Sequence, residues 1–244
     1  MVSLDYRDRI YEHYVHARTS SLAPTTLSGF ASQEPYLTRV IRAHFPRHRD
    51  ATILDLGCGH GTLIHFARRA GYSSIVGVDR SPEQVAEANR LGIEGVREGD
   101  LMAVLAELPD ESQDVVIAFD VIEHFTREEL LPFVDEVRRV LKSGGKWLIH
   151  TPNGESPFFG RIRYGDFTHE QAFTATSMGQ LLLSSGFISL NCYEDTPVVH
   201  GLMSAFRYVI WTVLRGLLRV YLAAETGQSR GAIFTQNLLI VAVR

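Results

Sequence analysis

From about residue 51, short apolar runs alternate with longer stretches in which apolar residues recur every three or four positions. The runs are Ala51–Leu56, Ser74–Val78, Gly95–Arg97, Asp114–Phe119 and Lys146–His150, each of a length suited to a buried strand. Between them Thr62–Ala70, Pro82–Leu91 and Arg127–Leu141 read as helices. The last is the clearest, because Leu130, Leu131, Val134, Val137, Val140 and Leu141 share one face and Gly144-Gly145 supplies a stop. Strands alternating with helices predict a parallel sheet covered on both faces, with ligands bound beyond the carboxyl ends of its strands.

After Thr151 the rhythm changes. Thr176–Ser185 predicts a helix, Phe187–Tyr193 a strand and Asn237–Val243 a final strand, with an added segment at about 197–235 between those two strands. Residues 1–50 carry two predicted helices, near Tyr6–His16 and Glu34–His44. The expectation is an N-terminal helical flap over 1–50 and one α/β domain over 51–244 with a late helical insertion.

Composition narrows the partners. The chain has 244 residues, 45% hydrophobic, enough to bury a core without metal or disulfide staples. Its 24 Lys and Arg against 28 Asp and Glu leave a net charge of −4, which argues against a nucleic-acid partner. Cys58 and Cys192 lie far apart, with neither a disulfide framework nor metal-ligand spacing. The first twenty residues are charged and aromatic, with no apolar stretch of the kind a secretory signal needs. A cytoplasmic protein is expected.

The strongest local signal is Ile53-Leu-Asp-Leu-Gly57-Cys-Gly59-His-Gly61-Thr, where a buried strand runs through a glycine turn into a helix. Glycines there let the backbone turn sharply and approach a ligand, while the helix start offers free N–H groups. The dinucleotide spacing G-x-G-x-x-G fails at Thr62, and no G-x-x-x-x-G-K-[ST] loop occurs. A nucleoside ligand without a pyrophosphate fits better.

The run of motifs resembles the class I S-adenosylmethionine-dependent methyltransferases. The glycine loop is similar to their first motif and Val76-Gly-Val-Asp79-Arg80-Ser81 to their second, whose acid takes the ribose hydroxyls. Glu98-Gly99-Asp100-Leu101 resembles the third, whose acid faces adenine, and Phe119-Asp120-Val-Ile-Glu123-His124 the fourth. The resemblance covers roughly residues 35–190. It implies a Rossmann-like, doubly wound, mostly parallel sheet with an antiparallel last strand. It also implies S-adenosylmethionine bound by Asp55, Gly57, Cys58, Gly59, Gly61, Asp79, Arg80, Asp100, Leu101, Phe119 and Asp120.

A hydroxyl acceptor must lose a proton, with a base or a metal assisting. His124 and His169 are the candidate bases. Asp120, Glu123, His124 and His169 are also similar to the acid-x-x-Glu-His…His metal set of small-RNA 2′-O-methyltransferases, and the first part resembles ubiquinone-pathway enzymes. A divalent cation such as Mg²⁺ therefore stands beside the metal-free reading. The loop after Thr151-Pro-Asn153 carries Arg161, Arg163 and Tyr164, candidates for holding an anionic or polyhydroxylated acceptor. The expected reaction is O-methylation of a sugar or related small-molecule or glycan hydroxyl. The alternatives are a ubiquinone-type phenol and a non-catalytic S-adenosylmethionine-binding module.

Leu202–Ala224 is mostly apolar, but Arg207, Arg215 and Arg219 interrupt it, which weighs against a membrane span. Ser204, Tyr208, Thr212, Arg215 and Arg219 form a narrow polar stripe. The pattern fits a lid buried on its own domain, a homodimer contact, or a helix at the membrane surface with snorkelling arginines.

Overall fold

The apolar runs pair into a seven-stranded sheet of order β3-β2-β1-β4-β5-β7-β6. Its strands are β1 (Ile53–Leu56), β2 (Ile75–Asp79), β3 (Val96–Glu98), β4 (Gln113–Phe119), β5 (Leu141–Pro152), β6 (Ser189–Glu194) and β7 (Asn237–Val243). This computed structural model describes residues 6–11, 23–228 and 231–244. Neighbours among β1 to β5 are parallel, and β7 alone runs antiparallel, to β5 and to β6. That is the expected architecture.

The helices are α1 (Tyr6–Tyr11), α2 (Glu34–His44), α3 (Thr62–Arg69), α4 (Pro82–Arg90), α5 (Leu101–Glu107), α6 (Arg127–Val140), α7 (Phe159–Arg163), α8 (Ala175–Ser184) and α9 (Leu202–Thr226). The helix expected near Tyr6–His16 is seen as α1, and its residues 12–16 lie outside the described ones.

Strand alternation sorts the side chains into two cores. Leu54 and Leu56 of β1, with Val116 and Ala118 of β4, pack against Leu105, Phe133, Val137 and Trp147 on one face. Their neighbours Ile53, Val115 and Ile117 pack on the other face with Ile64, Phe66 and Ala88. Leu37, Val40 and Ile41 of α2 belong to that second core, so the N-terminal segment forms part of the helical layer.

Two local features differ from the sequence reading. Gly144-Gly145 does not separate α6 from a later strand: β5 begins at Leu141, directly after α6, and its pairing with β4 shifts register between Gln113 and Val115. Helix α5 was not expected from periodicity. Asp100 starts it as N-cap, its Oδ1 accepting from Ala103 N at 3.0 Å.

Candidate functional site

The strand order reverses between β1 and β4, and a cavity of about 760 Å³ opens at their carboxyl ends. Asp55, Gly57, Cys58 and Gly59 reach it from β1, Asp79 and Arg80 from β2, Asp100 and Leu101 from β3, and Phe119 and Asp120 from β4. Ten of the eleven residues expected to bind the nucleoside therefore meet in one place. Gly61 does not line the cavity. It is the N-cap of α3 at φ +79°, and a Cβ there would sit 2.9 Å from both Ile93 and Val96. Its role is to let the loop close onto the layer beneath. Gly57 stands at φ +70°, with room for a Cβ removed by Val121 Cγ2 at 2.4 Å.

Asp79 ties the loop to β2. Its Oδ2 accepts from Gly59 N at 2.7 Å and its Oδ1 from Ser81 N at 2.9 Å. Each oxygen keeps a further lone pair, so a diol can still be held. Asp55 is 3% exposed, and burial, with Asp79 adding like charge, pushes its carboxyl up to about 8. Burial also raises the Cys58 thiol, which leaves it a poor nucleophile at neutral pH. His60 sits under the loop, its Nδ1 3.0 Å from Gln84 Oε1 and its ring stacked on Phe30 at 5.5 Å.

The second half of the site gathers around His124. Its Nδ1 lies 2.8 Å from Thr168 Oγ1, and that hydroxyl donates to Asp166 Oδ1 at 2.6 Å. With its proton given to Asp166, the hydroxyl accepts from His124 Nδ1–H, leaving Nε2 with the free lone pair. His169 is fixed likewise, its Nδ1–H donating to Ile162 O at 3.1 Å. The two rings lie 4.8 Å apart. Burial, then His169, pushes His124 down to about 4, so the ring is neutral at ordinary pH.

One ligand atom each from Glu123, His124 and His169 falls within 4.8 Å of the others. Glu123 is fully buried; Oε2 accepts from Thr151 Oγ1 at 3.0 Å and Oε1 has no hydrogen-bond partner. Burial, with Asp120 nearby, pushes this carboxyl well above the usual range. Asp120 does not join the cluster, contrary to the four-ligand expectation. Its backbone adopts φ +55°, and its Oδ1 lies 2.8 Å from His150 Nδ1. His150 Nε2 reaches Asp195 Oδ2 at 3.3 Å. Burial alone would favour neutral imidazole, but the two carboxylates outweigh it and hold His150 charged.

The N-terminal segment completes the cavity with residues that the motifs did not flag. Arg7 of α1 forms a two-pronged pair with Glu129, at 2.8 and 2.6 Å, and also donates to His124 O at 3.1 Å. Tyr11 lies edge-on to His124 at 6.2 Å, with the Arg80 guanidinium 5.9 Å from its ring centre. Burial pushes its phenol up to about 12, so it remains a neutral donor. No spacing rule ties residues 7 and 11 to a site 50 residues on; only the aromatic and charged character of the segment hinted at a role. The loop arginines turn out differently. Arg163 is spent on the carbonyls of His169 and Glu170, bracing the turn that presents His169, and neither Arg161, Arg163 nor Tyr164 lines the cavity.

The profile of a family described as "Methyltransferase domain" matches residues 54–149. A probable S-adenosylmethionine-dependent methyltransferase of Mycolicibacterium smegmatis is 34% identical over 72% of this chain and 67% of its own length. A ubiquinone biosynthesis O-methyltransferase of Chelativorans is 32% identical over 48% of this chain, and the match spans about half of that relative (49%). Among solved structures, a SAM-dependent methyltransferase from Archaeoglobus fulgidus superposes with a TM-score of 0.67 at 20% identity, over 98% of this chain and all (100%) of that one. At that identity the last comparison speaks for the fold.

Proposed function

The chain belongs to the class I S-adenosylmethionine-dependent methyltransferases, and from that premise we propose that it methylates a hydroxyl oxygen of a small-molecule acceptor. The acceptor class we infer is a sugar or related polyhydroxylated glycan unit. The observation that carries oxygen as the acceptor atom is His124: a half-buried, neutral imidazole on the cavity wall, its Nδ1–H engaged and its Nε2 free. Such a base takes the proton that a hydroxyl must lose.

S-adenosylmethionine, when bound, supplies a methyl group on a positively charged sulfur. The chain's residues do the rest. Asp79 receives the ribose hydroxyls, Asp100 and Leu101 border the base, and Asp120, with Asp55 once the cationic ligand draws off its proton, offers negative charge beside the methionine portion. Tyr11 and Arg7, from α1, close the cavity beside His124 and restrict water. Arg7, Tyr11, Gln33 and Glu128 give it a hydrogen-bonding wall suited to a polyol. The ubiquinone-pathway relative supports the second acceptor reading, a phenol.

A divalent cation is a further reading, favoured by one observation, the buried Glu123 Oε1 left without a donor beside two histidine nitrogens. This mixed oxygen and nitrogen set fits Mg²⁺, Mn²⁺ or Zn²⁺, with Glu123, His124 and His169 as the ligands. The cation would acidify and orient neighbouring hydroxyls.

Methyl transfer from labelled S-adenosylmethionine to panels of sugar, phenol and amine acceptors tests the proposal. Hydroxyl acceptors are expected to turn over, and His124→Gln should lower kcat about 100-fold or more while cofactor affinity holds. Turnover confined to amines would sink it. For the cation, binding of Mn²⁺ to the protein by calorimetry should be lost in Glu123→Gln; equal binding by both proteins removes that reading.

A further inference from the structure

Helix α9 is turned inside out relative to an ordinary surface helix. Over its 25 residues only Ser204 is buried. Ser204, Trp211, Arg215, Leu218, Arg219 and Leu222 are among its less exposed positions and turn toward the domain. Ser204 Oγ accepts from His200 N and donates to Gly201 O, both at 2.8 Å, and Arg215 pairs with Glu194 at the end of β6. The opposite face is apolar. Leu202, Phe206, Val209, Val213, Leu217 and Val220 are 59–93% exposed. That face presents on the order of 1,000 Å² of apolar surface, more than the few hundred Å² a monomer ordinarily shows.

Charge and width together select the occupant. From Leu202 to Ala224 the helix carries Arg207, Arg215 and Arg219 and no Asp, Glu or Lys, in a chain whose net charge is −4. Arg215 and Arg219 turn toward the domain, and a second copy on the exposed face would offer Arg207 no carboxylate before Glu225. A two-helix seam also needs a narrow apolar stripe with charged flanks. Here the flanks of the stripe through Phe206, Ile210, Val213 and Leu217 are apolar at Val209, Leu214 and Tyr221 and charged only at Arg207. A wide apolar face with Arg207 and Tyr221 exposed along it suits the boundary between lipid headgroups and acyl chains. Among the described residues no helix is long and apolar enough to cross a membrane, so the helix would lie in the plane.

We propose that α9 is a docking helix that seats its apolar face in the surface of an anionic bilayer. The Arg215–Glu194 pair hangs it on the carboxyl end of β6, on the side of the sheet where the carboxyl ends of β1 and β4 carry the cavity. The next residue, Asp195, reaches His150, which holds Asp120 on the cavity wall. Docking would therefore bring that edge, with its cavity, to the membrane. This surface stands independently of the acceptor chemistry proposed above.

The test is cosedimentation of the full chain with vesicles of phosphatidylcholine alone or mixed equally with phosphatidylglycerol. Leu214→Glu/Leu217→Glu and Arg207→Glu proteins are run beside it, with S-adenosylmethionine affinity as the check on folding. The wild-type protein is expected to bind the mixed vesicles more tightly than the neutral ones. The double variant should bind about tenfold more weakly or worse, from two leucines lost to the apolar phase, with unchanged cofactor affinity. Arg207→Glu should narrow the preference for anionic lipid. Absence of vesicle binding, or equal binding by the double variant, overturns the proposal. So does a wild-type dimer in analytical ultracentrifugation that the same double variant dissolves, which would assign the face to a second copy.

Discussion

Asp55 lies at the end of β1 with its carboxyl pushed up from 3.8 to about 8, so the empty protein keeps a proton there that the unfolded chain releases. A carboxyl raised on folding contributes stability that is full below the unfolded pKa and is lost as pH rises through about 8. Asp55→Asn, which carries no such charge, should gain stability relative to wild type between pH 5 and pH 9, on the order of 4 kcal/mol. Urea titrations at the two pH values check this; a pH-independent difference would refute it. A positively charged ligand favours the ionised form, so S-adenosylmethionine should bind more tightly as pH rises from 6 to 8, with proton release visible as a buffer-dependent calorimetric heat. Thr168 works in a different way. Thr168→Val removes the hydroxyl between His124 and Asp166 and should cost about 10–100-fold in kcat, with cofactor affinity held within about twofold. Unchanged kcat would mean that the hydroxyl does not orient the base. Of these residues Asp55 and His124 were legible as members of spaced motifs. Thr168 was not, because a lone threonine in a loop carries no periodic signal and matters only through what folds against it.

Helix α1 shows the same limit at the next scale. Its six residues are held to the domain by the Arg7–Glu129 pair, and Glu129 also accepts from Thr126 N at 2.8 Å as part of the capping box of α6. The Arg7 hydrogen bonds are the first cause holding this carboxyl down at about 2. Glu129→Gln keeps much of the cap but loses the two-pronged ion pair, so α1 should loosen while α6 persists. S-adenosylmethionine affinity is expected to fall about three- to tenfold with little change in helical circular dichroism, and 0.5 M salt should weaken wild type in the same direction. Equal affinities would show that α1 does not cover the bound cofactor. The sequence marked the core elements well because strand and helix periods are written in the apolar residues that pack. Helix α5 escaped, since Leu101–Glu107 is too short for its periodicity to separate from a loop, and Asp100 gave the one cue, as its cap. The Gly144-Gly145 pair misled in the other direction: α6 needs no glycine to stop, because Leu141 enters β5 directly.

At the scale of the molecule, periodicity tells which residues share a face of α9 but not which face meets the domain. That is why a lid, a dimer contact and a membrane helix all fitted one stripe of polar residues. The structure turns Ser204, Arg215 and Arg219 toward the domain and leaves Tyr208 and Thr212 exposed, and the lid reading, a helix buried on most sides, does not hold. A helix attached so sparingly should be separable from the fold. Glu194 pairs with Leu238, so β6 and β7 are already adjacent where the insertion leaves the sheet. Asp195 N donates to Thr235 Oγ1 at 3.1 Å, and Asn153 Nδ2 donates to the carbonyls of Ile233 and Thr235 at 2.6 and 2.8 Å. Those anchors lie outside α9. Replacing residues 201–230 with a short Gly-Ser linker should therefore leave a folded protein, since a shorter connection costs less chain entropy to close and the excised helix takes one buried serine with it. The shortened chain is expected to bind S-adenosylmethionine within about twofold of wild type and to show a single cooperative urea transition with a smaller m-value, because less surface is exposed on unfolding. Loss of vesicle binding in that same folded chain would locate the membrane affinity in α9. A shortened chain that unfolds, or that loses the cofactor, would mean instead that the Arg215–Glu194 pair and the His150 network behind it depend on the helix to hold the edge of the cavity.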